Sequence, residues 1–280
     1  MGKSGTVRVG VALGGGGARG FAHVLALEVL DAHGITPAVI AGTSMGSIIG
    51  ALYASGLSGA QVRELIERHT ITRRDRFKDV FRKRSDLIQW LTFARPAWSR
   101  RGLFRADRVL RYLLARVDVE TFEQLQIPLR VVSADFHRVE EVVFDSGKLQ
   151  PALQASISIP GIFTPVEHDG RILVDGGVVN NLPYHLLFDE CDVVIAVDVS
   201  ASKPAKSNKP PTMLEAVLAT FDTLVAEVTE SAMKRRAPDI YVQPELGGIL
   251  ALDFAKTDVV LERARPAMEA FDKELSRLLD

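Results

Sequence analysis

Three stretches carry residue types that could act together on a carbonyl group. The first is Gly42-Thr43-Ser44-Met45-Gly46, a serine with a glycine two residues away on each side. A serine serves as a nucleophile when it sits on a tight, strained turn between a strand and a helix, with its hydroxyl held outward. Apolar Ala38-Val39-Ile40 before it and Ser47-Ile48-Ile49-Gly50-Ala51-Leu52-Tyr53 after it supply that context. Gly42 and Gly46 stand where a Cβ would meet the neighbouring strand and helix. The start of the following helix brings free N–H groups and a partial positive charge to the serine, which favours an anion. On its own the pattern also fits a plain glycine-rich turn between two core elements.

The second stretch is Gly14-Gly15-Gly16-Gly17-Ala18-Arg19-Gly20. Consecutive glycines leave backbone N–H groups exposed, so Gly15, Gly16 and Gly17 could stabilise the oxyanion of a tetrahedral intermediate. Arg19 either locks this loop or adds positive field, or is a solvated arginine at a helix start. Gly15-x-Gly17-x-x-Gly20 also fits a dinucleotide-binding loop, which requires an acidic residue at the end of the second strand. Ile40-Ala41-Gly42 offers none, so no cofactor is expected. The third stretch, Asp175-Gly176-Gly177, follows the strand-like run Arg171-Ile172-Leu173-Val174. A serine nucleophile needs a base, and the histidines are His23, His33, His69, His137, His168 and His185. None follows position 185, so the C-terminal part supplies no histidine for a Ser-Asp-His order. His185 reads as a surface or packing residue, and His23 could border the glycine loop. A carboxylate within reach can take the serine proton directly, and burial raises its basicity. Ser44 with Asp175 is the candidate dyad, against the plainer reading of Asp175 as a turn residue.

The elements that must position these groups alternate strand and helix. Residues 7–13 read as a buried strand, and Phe21, Val24, Leu25, Leu27, Val29 and Leu30 as a helix closing at Gly34. A further helix starts at Ser58. Helix is expected over 106–116, strands over 128–134 and 141–144, a short helix over 149–156 and a Pro/Gly-punctuated apolar loop over 157–165. Asn180, Asn181 and Pro183 read as the start of a helix through Leu186, Leu187 and Phe188. A central strand follows within 192–200, then an exposed loop over 202–211, a long amphipathic helix over 213–233, a strand over 239–242 and a last helix over 258–279. No repeat and no composition break divides the chain, so residues 1–280 are expected to form one α/β domain.

The bulk properties set outer bounds. A composition of 47% hydrophobic and 25% charged residues suits a globular chain with a sizeable core, and a net charge of −1 gives no overall pull toward nucleic acid or membrane. One cysteine, Cys191, cannot form an internal disulfide and reads as a packing residue. No secretory apolar core follows Met1 and no run of about 18 apolar residues occurs, so a cytoplasmic protein without a membrane span is expected. The segment over about 68–105 differs in character. It combines Arg73, Arg74, Arg76, Lys78, Arg82, Lys83 and Arg84 with Phe77, Phe81, Trp90, Phe93 and Trp98. It is expected to be a cap or lid insertion, with peripheral contact to an anionic membrane as its use. No nucleic-acid reader motif accompanies its charge. No His/Cys/carboxylate cluster at ligand spacing points to a metal.

Taken together and in this order, Gly15-Gly16-Gly17-Ala18-Arg19-Gly20, Gly42-Thr43-Ser44-Met45-Gly46 and Asp175-Gly176-Gly177 resemble the motifs of the patatin-like phospholipase family. The runs 155–165 and 175–183 are similar to the segments around the family's aspartate, and 239–254 to short bacterial members. The resemblance implies a three-layer α/β/α sandwich with a mostly parallel central sheet. It implies hydrolysis of lipid esters with Ser44 as nucleophile, Asp175 as base, the Gly15–Gly17 N–H groups as oxyanion donors and Arg19 in support. It matches no motif in 68–105. Two other uses of the same residues stay open: a regulatory or membrane-docking module with an idle dyad, and acyl transfer to an acceptor other than water.

Overall fold

The computed structural model describes residues 7–68, 107–200 and 210–279. The expected cap over 68–105 and the loop over 202–211 lie outside the described residues, apart from their ends. In chain order the elements are β1 (Val9–Leu13), α1 (His23–Ala32), β2 (Val39–Thr43), α2 (Met45–Ala54), α3 (Gly59–Glu67) and α4 (Asp107–Leu114). Then come β3 (Leu129–Asp135), β4 (Glu140–Phe144), α5 (Leu149–Ser156), β5 (Val166–His168), β6 (Arg171–Asp175) and β7 (Val193–Val197). The chain closes with α6 (Met213–Arg235), β8 (Ile240–Val242) and α7 (Thr257–Leu279).

The sheet runs β5-β6-β3-β2-β1-β7-β8, with β4 attached to β3. Strands β3, β2, β1, β7 and β8 are parallel, whereas β4 and β6 pair with β3 antiparallel and β5 pairs with β6 antiparallel. The expected sheet is therefore a mixed one with helices on both faces, and its antiparallel part is gathered at one end.

Side-chain size along the strands explains how the two faces are covered. In β1, Val9, Val11 and Leu13 face a large core built with α1, α2, α3, α4, α5 and α7. The alternate positions are small: Ala12 joins a thin cluster with Ala41, Ala196, Leu182, Tyr184 and Leu187. A Cβ on Gly10 would meet Cys191 Sγ at 2.6 Å, so the chain over 182–191 lies almost on the strand. This alternation of large and small residues is the period-2 pattern of a strand. It assigns the thick layer of α1–α5 and α7 to one face, and to the other the chain over 182–191 with the end of α6 packed against it. Cys191 is half-buried there as a free thiol, packed as expected.

Two helix starts are held by local chemistry. Ser58 and Gln61 form a reciprocal capping box at α3, and Thr212 and Glu215 do so at α6, each a contribution of about 1 kcal/mol. The segment after Asp175 departs from expectation. Instead of a helix beginning at Asn180, only a 3-10 turn forms, over Tyr184–Leu187. The Asn181 carbonyl is already bonded to Gly15 N, and Pro183 has ψ 38°, outside the helical range. Among the described residues, no helix is long and apolar enough to cross a membrane.

The register on β3 positions the site. Val131 and Val132 pair with Gly42 and Thr43 of β2 on one edge and with Phe144 and Val143 of β4 on the other. The next residue, Ser133, keeps β4 on that second edge but pairs with Asp175 of β6 on the first. Strands β2 and β6 therefore lie end to end along one edge of β3 and run toward each other. They stop at Thr43 and Asp175, opposite consecutive β3 residues, and Ser44 is the next residue of the first chain.

Candidate active site

Ser44 occupies the turn between β2 and α2 with φ 52° and ψ −123°, a left-handed conformation that costs a non-glycine residue about 1–3 kcal/mol. Its neighbours hold it there. Ser44 N–H donates to Ser156 Oγ at 2.8 Å, and Ser156 Oγ donates in turn to the Val132 carbonyl at 2.6 Å. The Ser44 carbonyl accepts from Ser47 N at 3.0 Å and from Ser47 Oγ at 2.6 Å. A Cβ on Gly42 would come within 2.7 Å of Ser47 N, and one on Gly46 would collide with the Leu13 carbonyl. Both glycines are thus needed because α2 starts in contact with β1 and β2. Met45 and Gly46 begin α2, where first-turn N–H groups have no intrahelical partner.

Asp175 is 2% exposed and caps its own turn through Oδ1, which accepts from Gly177 N at 2.8 Å. Its Oδ2 is buried with no hydrogen bond of full geometry. Burial pushes the carboxyl from the ordinary 3.8 up to about 6, against the Gly177 N–H and the Ser44 hydroxyl, which both favour the charged form. A carboxylate with a free oxygen and a raised pKa beside a serine hydroxyl has the properties of a general base near neutral pH. Asp175 N–H donates to the Ser158 carbonyl at 2.9 Å, which ties the start of the 157–165 loop to the site. Ile159 and Ile162 of that loop pack on Leu218 of α6. Phe221 of the same helix reaches the turn itself, 3.4 Å from the Cβ position of Gly177.

The glycine loop lies over Ser44: a Cβ on Gly15 would stand 3.1 Å from Ser44 Cβ. Its three glycines are not equivalent. Gly15 N–H donates to the Asn181 carbonyl at 3.1 Å and so is engaged. Gly16 and Gly17 N–H have no acceptor among the described residues, and Gly17 has φ +57° with a Cβ position that would collide with the Ala251 carbonyl. Arg19 is 1% exposed and turned toward α6. Its guanidinium binds Asp222 with both terminal nitrogens, at 2.9 and 2.6 Å, and Nη1 also donates to the Ile249 carbonyl at 3.1 Å. Arg19 fastens the loop to α6, and its charge is taken up by Asp222.

His23 supports the loop from behind. Its Nε2 lies 2.7 Å from the Gly14 carbonyl. A carbonyl only accepts, so Nε2 carries the proton. Burial lowers the imidazole to about 4, so it is neutral at pH 7. His185 instead meets Glu141 at the surface, at 3.4 Å. Among the described residues, no three His, Cys, Asp or Glu side chains are placed to hold a metal ion. Ser156, Asn180, Asn181, Phe221 and Asp222 were not legible as site residues. The resemblance takes in Ser156 and the asparagine pair within the segments around the aspartate but gives them no role, and the asparagine pair reads equally well as a helix start.

The profile of the family described as patatin-like phospholipase matches residues 11–188, a span that includes the glycine loop, Ser44 and Asp175. Over 210 residues the chain is 35% identical to an uncharacterised NTE family protein of Mycobacterium tuberculosis, covering 74% of this chain and 54% of that one. It is 30% identical over 195 residues to the lysophospholipase NTE1 of Kluyveromyces lactis, covering 69% of this chain and 13% of that protein. The chain thus spans about half the length of the mycobacterial relative and a small part of the yeast one. The crystal structure of VipD from Legionella pneumophila has the same fold, with TM-score 0.51, 14% identity, and coverage of 94% of this chain and 67% of that one. Because residues 11–188 are well over half of the 280, the chain belongs to the patatin-like phospholipase family.

Proposed function

We propose that the protein is a serine acyl hydrolase that cleaves carboxylic esters of lipids, of phospholipase A or lysophospholipase type. The observation that carries the reading is the meeting of β2 and β6 on one edge of β3, with Ser44 strained at one strand end and buried Asp175 at the other. In the proposed reaction Ser44 Oγ attacks the ester carbonyl while its proton passes to Asp175 Oδ2. The C–O bond to the alcohol then breaks and Asp175 returns the proton to the leaving oxygen. Water attacks the acyl-enzyme, gives its proton to Asp175, and the fatty acid leaves as the proton returns to Ser44. Gly16 and Gly17 N–H, free of other acceptors, are the proposed oxyanion donors. The Gly15 part is to hold the loop over Ser44, and Arg19 contributes by fixing the loop to Asp222.

Peripheral contact with an anionic membrane through 68–105 belongs to the proposal on the strength of that segment's basic and aromatic residues. Charge reversal of Arg82, Lys83 and Arg84 should weaken binding to anionic vesicles, more so at low salt. The reaction is tested by incubating wild type, Ser44→Ala and Asp175→Asn with a mixed lipid extract and resolving the products by mass spectrometry. Free fatty acid from wild type alone supports the hydrolase. New esters in the presence of added alcohol would convert the reading to acyl transfer. Equal hydrolysis by either variant would refute the dyad, and no reaction by wild type would leave the module with an idle dyad.

A further inference from the structure

The mechanism above gives no role to Asn181, a buried residue on the chain between Asp175 and the 3-10 turn. Its backbone carbonyl accepts from Gly15 N at 3.1 Å, and its side-chain Nδ2 donates to the Gly15 carbonyl at 3.2 Å. One residue thus holds both polar groups of Gly15. Its Oδ1 lies 2.5 Å from the Cβ position of Gly15 and 3.1 Å from that of Gly177. The Asn181 amide is therefore wedged between the glycine loop and the turn that carries Asp175. The preceding carbonyl, of Asn180, accepts from Thr43 Oγ1 at 2.9 Å and adds the end of β2 to the same anchor.

The consequence lies in the next peptide. A trans peptide directs its C=O and its N–H to opposite sides. The Gly15 carbonyl and the Gly16 N–H belong to one such peptide. Holding the carbonyl on Asn181 Nδ2 leaves Gly16 N–H pointing away from Asn181, with no protein acceptor among the described residues. With glycine at 15, 16 and 17, no side chain resists a flip of this peptide. The orientation has to be imposed from outside the loop, and the Asn181 amide bonds the one carbonyl that decides it.

We infer that Asn181 is a positioning residue whose side-chain amide fixes the Gly15–Gly16 peptide and so aims Gly16 N–H at the oxyanion. The inference rests on the acyl-hydrolase reading. It requires a donor at this position, so an aspartate of the same shape would not serve, having no N–H to offer.

The test uses Asn181→Leu, which keeps the branched shape of the side chain, with Asn181→Ala as the variant that carries the same readings if the leucine protein does not fold. Each is assayed with a soluble acyl ester and with its thionoester, in which sulfur replaces the carbonyl oxygen and accepts hydrogen bonds weakly. Misaimed Gly16 N–H should lower kcat about 100-fold with KM within about threefold. The wild-type preference for the oxygen ester should shrink about tenfold or more in the same variant, an effect that loose packing alone does not produce. Retention of kcat within about twofold, or a loss of kcat with the oxygen-to-sulfur preference unchanged, would overturn the inference while leaving the hydrolase reading standing. A wild type that neither hydrolyses the ester nor reacts at Ser44 with a fluorophosphonate would overturn both.

Discussion

Asp175→Asn should produce a protein that is inactive and yet more stable at neutral and alkaline pH. Asp175 is 2% exposed, and burial raises its pKa from 3.8 to about 6. At 1.36 kcal/mol for each pH unit, that rise corresponds to about 3 kcal/mol of cost for carrying the ionised carboxyl in the folded state. The sign follows from linkage. A folded-state pKa above the unfolded one means that the unfolded state ionises first. The carboxyl is then without penalty below about pH 4, and stability is lost as pH rises through about 6. Asparagine has the same shape, its carbonyl can keep the Gly177 N–H bond, and it carries no charge. At pH 8 the variant should gain up to about 3 kcal/mol, or roughly 5 °C in Tm for a chain of this size. Thermal and urea denaturation of both proteins at pH 8, 6 and 4 measure the gap, which should close by about pH 4. A variant less stable than wild type at pH 8, or a gap that does not change with pH, would refute the claim that burial makes Asp175 basic.

Three further outcomes follow from the same geometry. The acid limb of kcat/KM should fall near pH 6, with about a tenfold loss between pH 7 and pH 5 on an uncharged ester, since Asp175 at about 6 must be ionised to act; a midpoint near 4 in the pH profile would contradict this. Ser156→Ala removes the acceptor of Ser44 N–H and the donor to the Val132 carbonyl. It should cost about 2–4 kcal/mol in urea denaturation, because two buried backbone groups lose their partners. Asp222→Asn leaves the buried Arg19 guanidinium without a counterion. It should cost about 3 kcal/mol, and pairing it with Arg19→Met should recover most of that loss in a double-mutant cycle.

Part of this arrangement is legible in the sequence alone. The apolar run of β1 reads as a buried strand because residue type and strand period are local properties, whereas which face carries the thick layer is seen only in the packing of Val9, Val11 and Leu13. Local too is the spacing of Gly42, Ser44 and Gly46, which serves a turn closed within a few residues. The pairing partner of β6 is not local. Nothing in Arg171–Asp175 says that it runs antiparallel against β3, or that it stops opposite Ser133, one register position beyond Thr43. That single fact turns two motifs 131 positions apart into one site. Asn181 and Ser156 were missed for a related reason. Each acts by bonding a backbone group more than 100 residues away, and a hydrogen bond at that range has no periodicity. The helix expected at 180–188 does not form because the Asn181 carbonyl, which a helix would need, is bonded to Gly15 N across 166 positions of the chain.

The most direct test of the Ser44–Asp175 dyad is reaction of the folded protein with a fluorophosphonate at pH 8, followed by peptide mapping. A single adduct on Ser44 is predicted, formed by wild type, absent from Ser44→Ala, and slowed on the order of 1,000-fold in Asp175→Asn, where no base is left to take the proton. An adduct on another residue, or labelling of Asp175→Asn at the wild-type rate, would contradict the dyad.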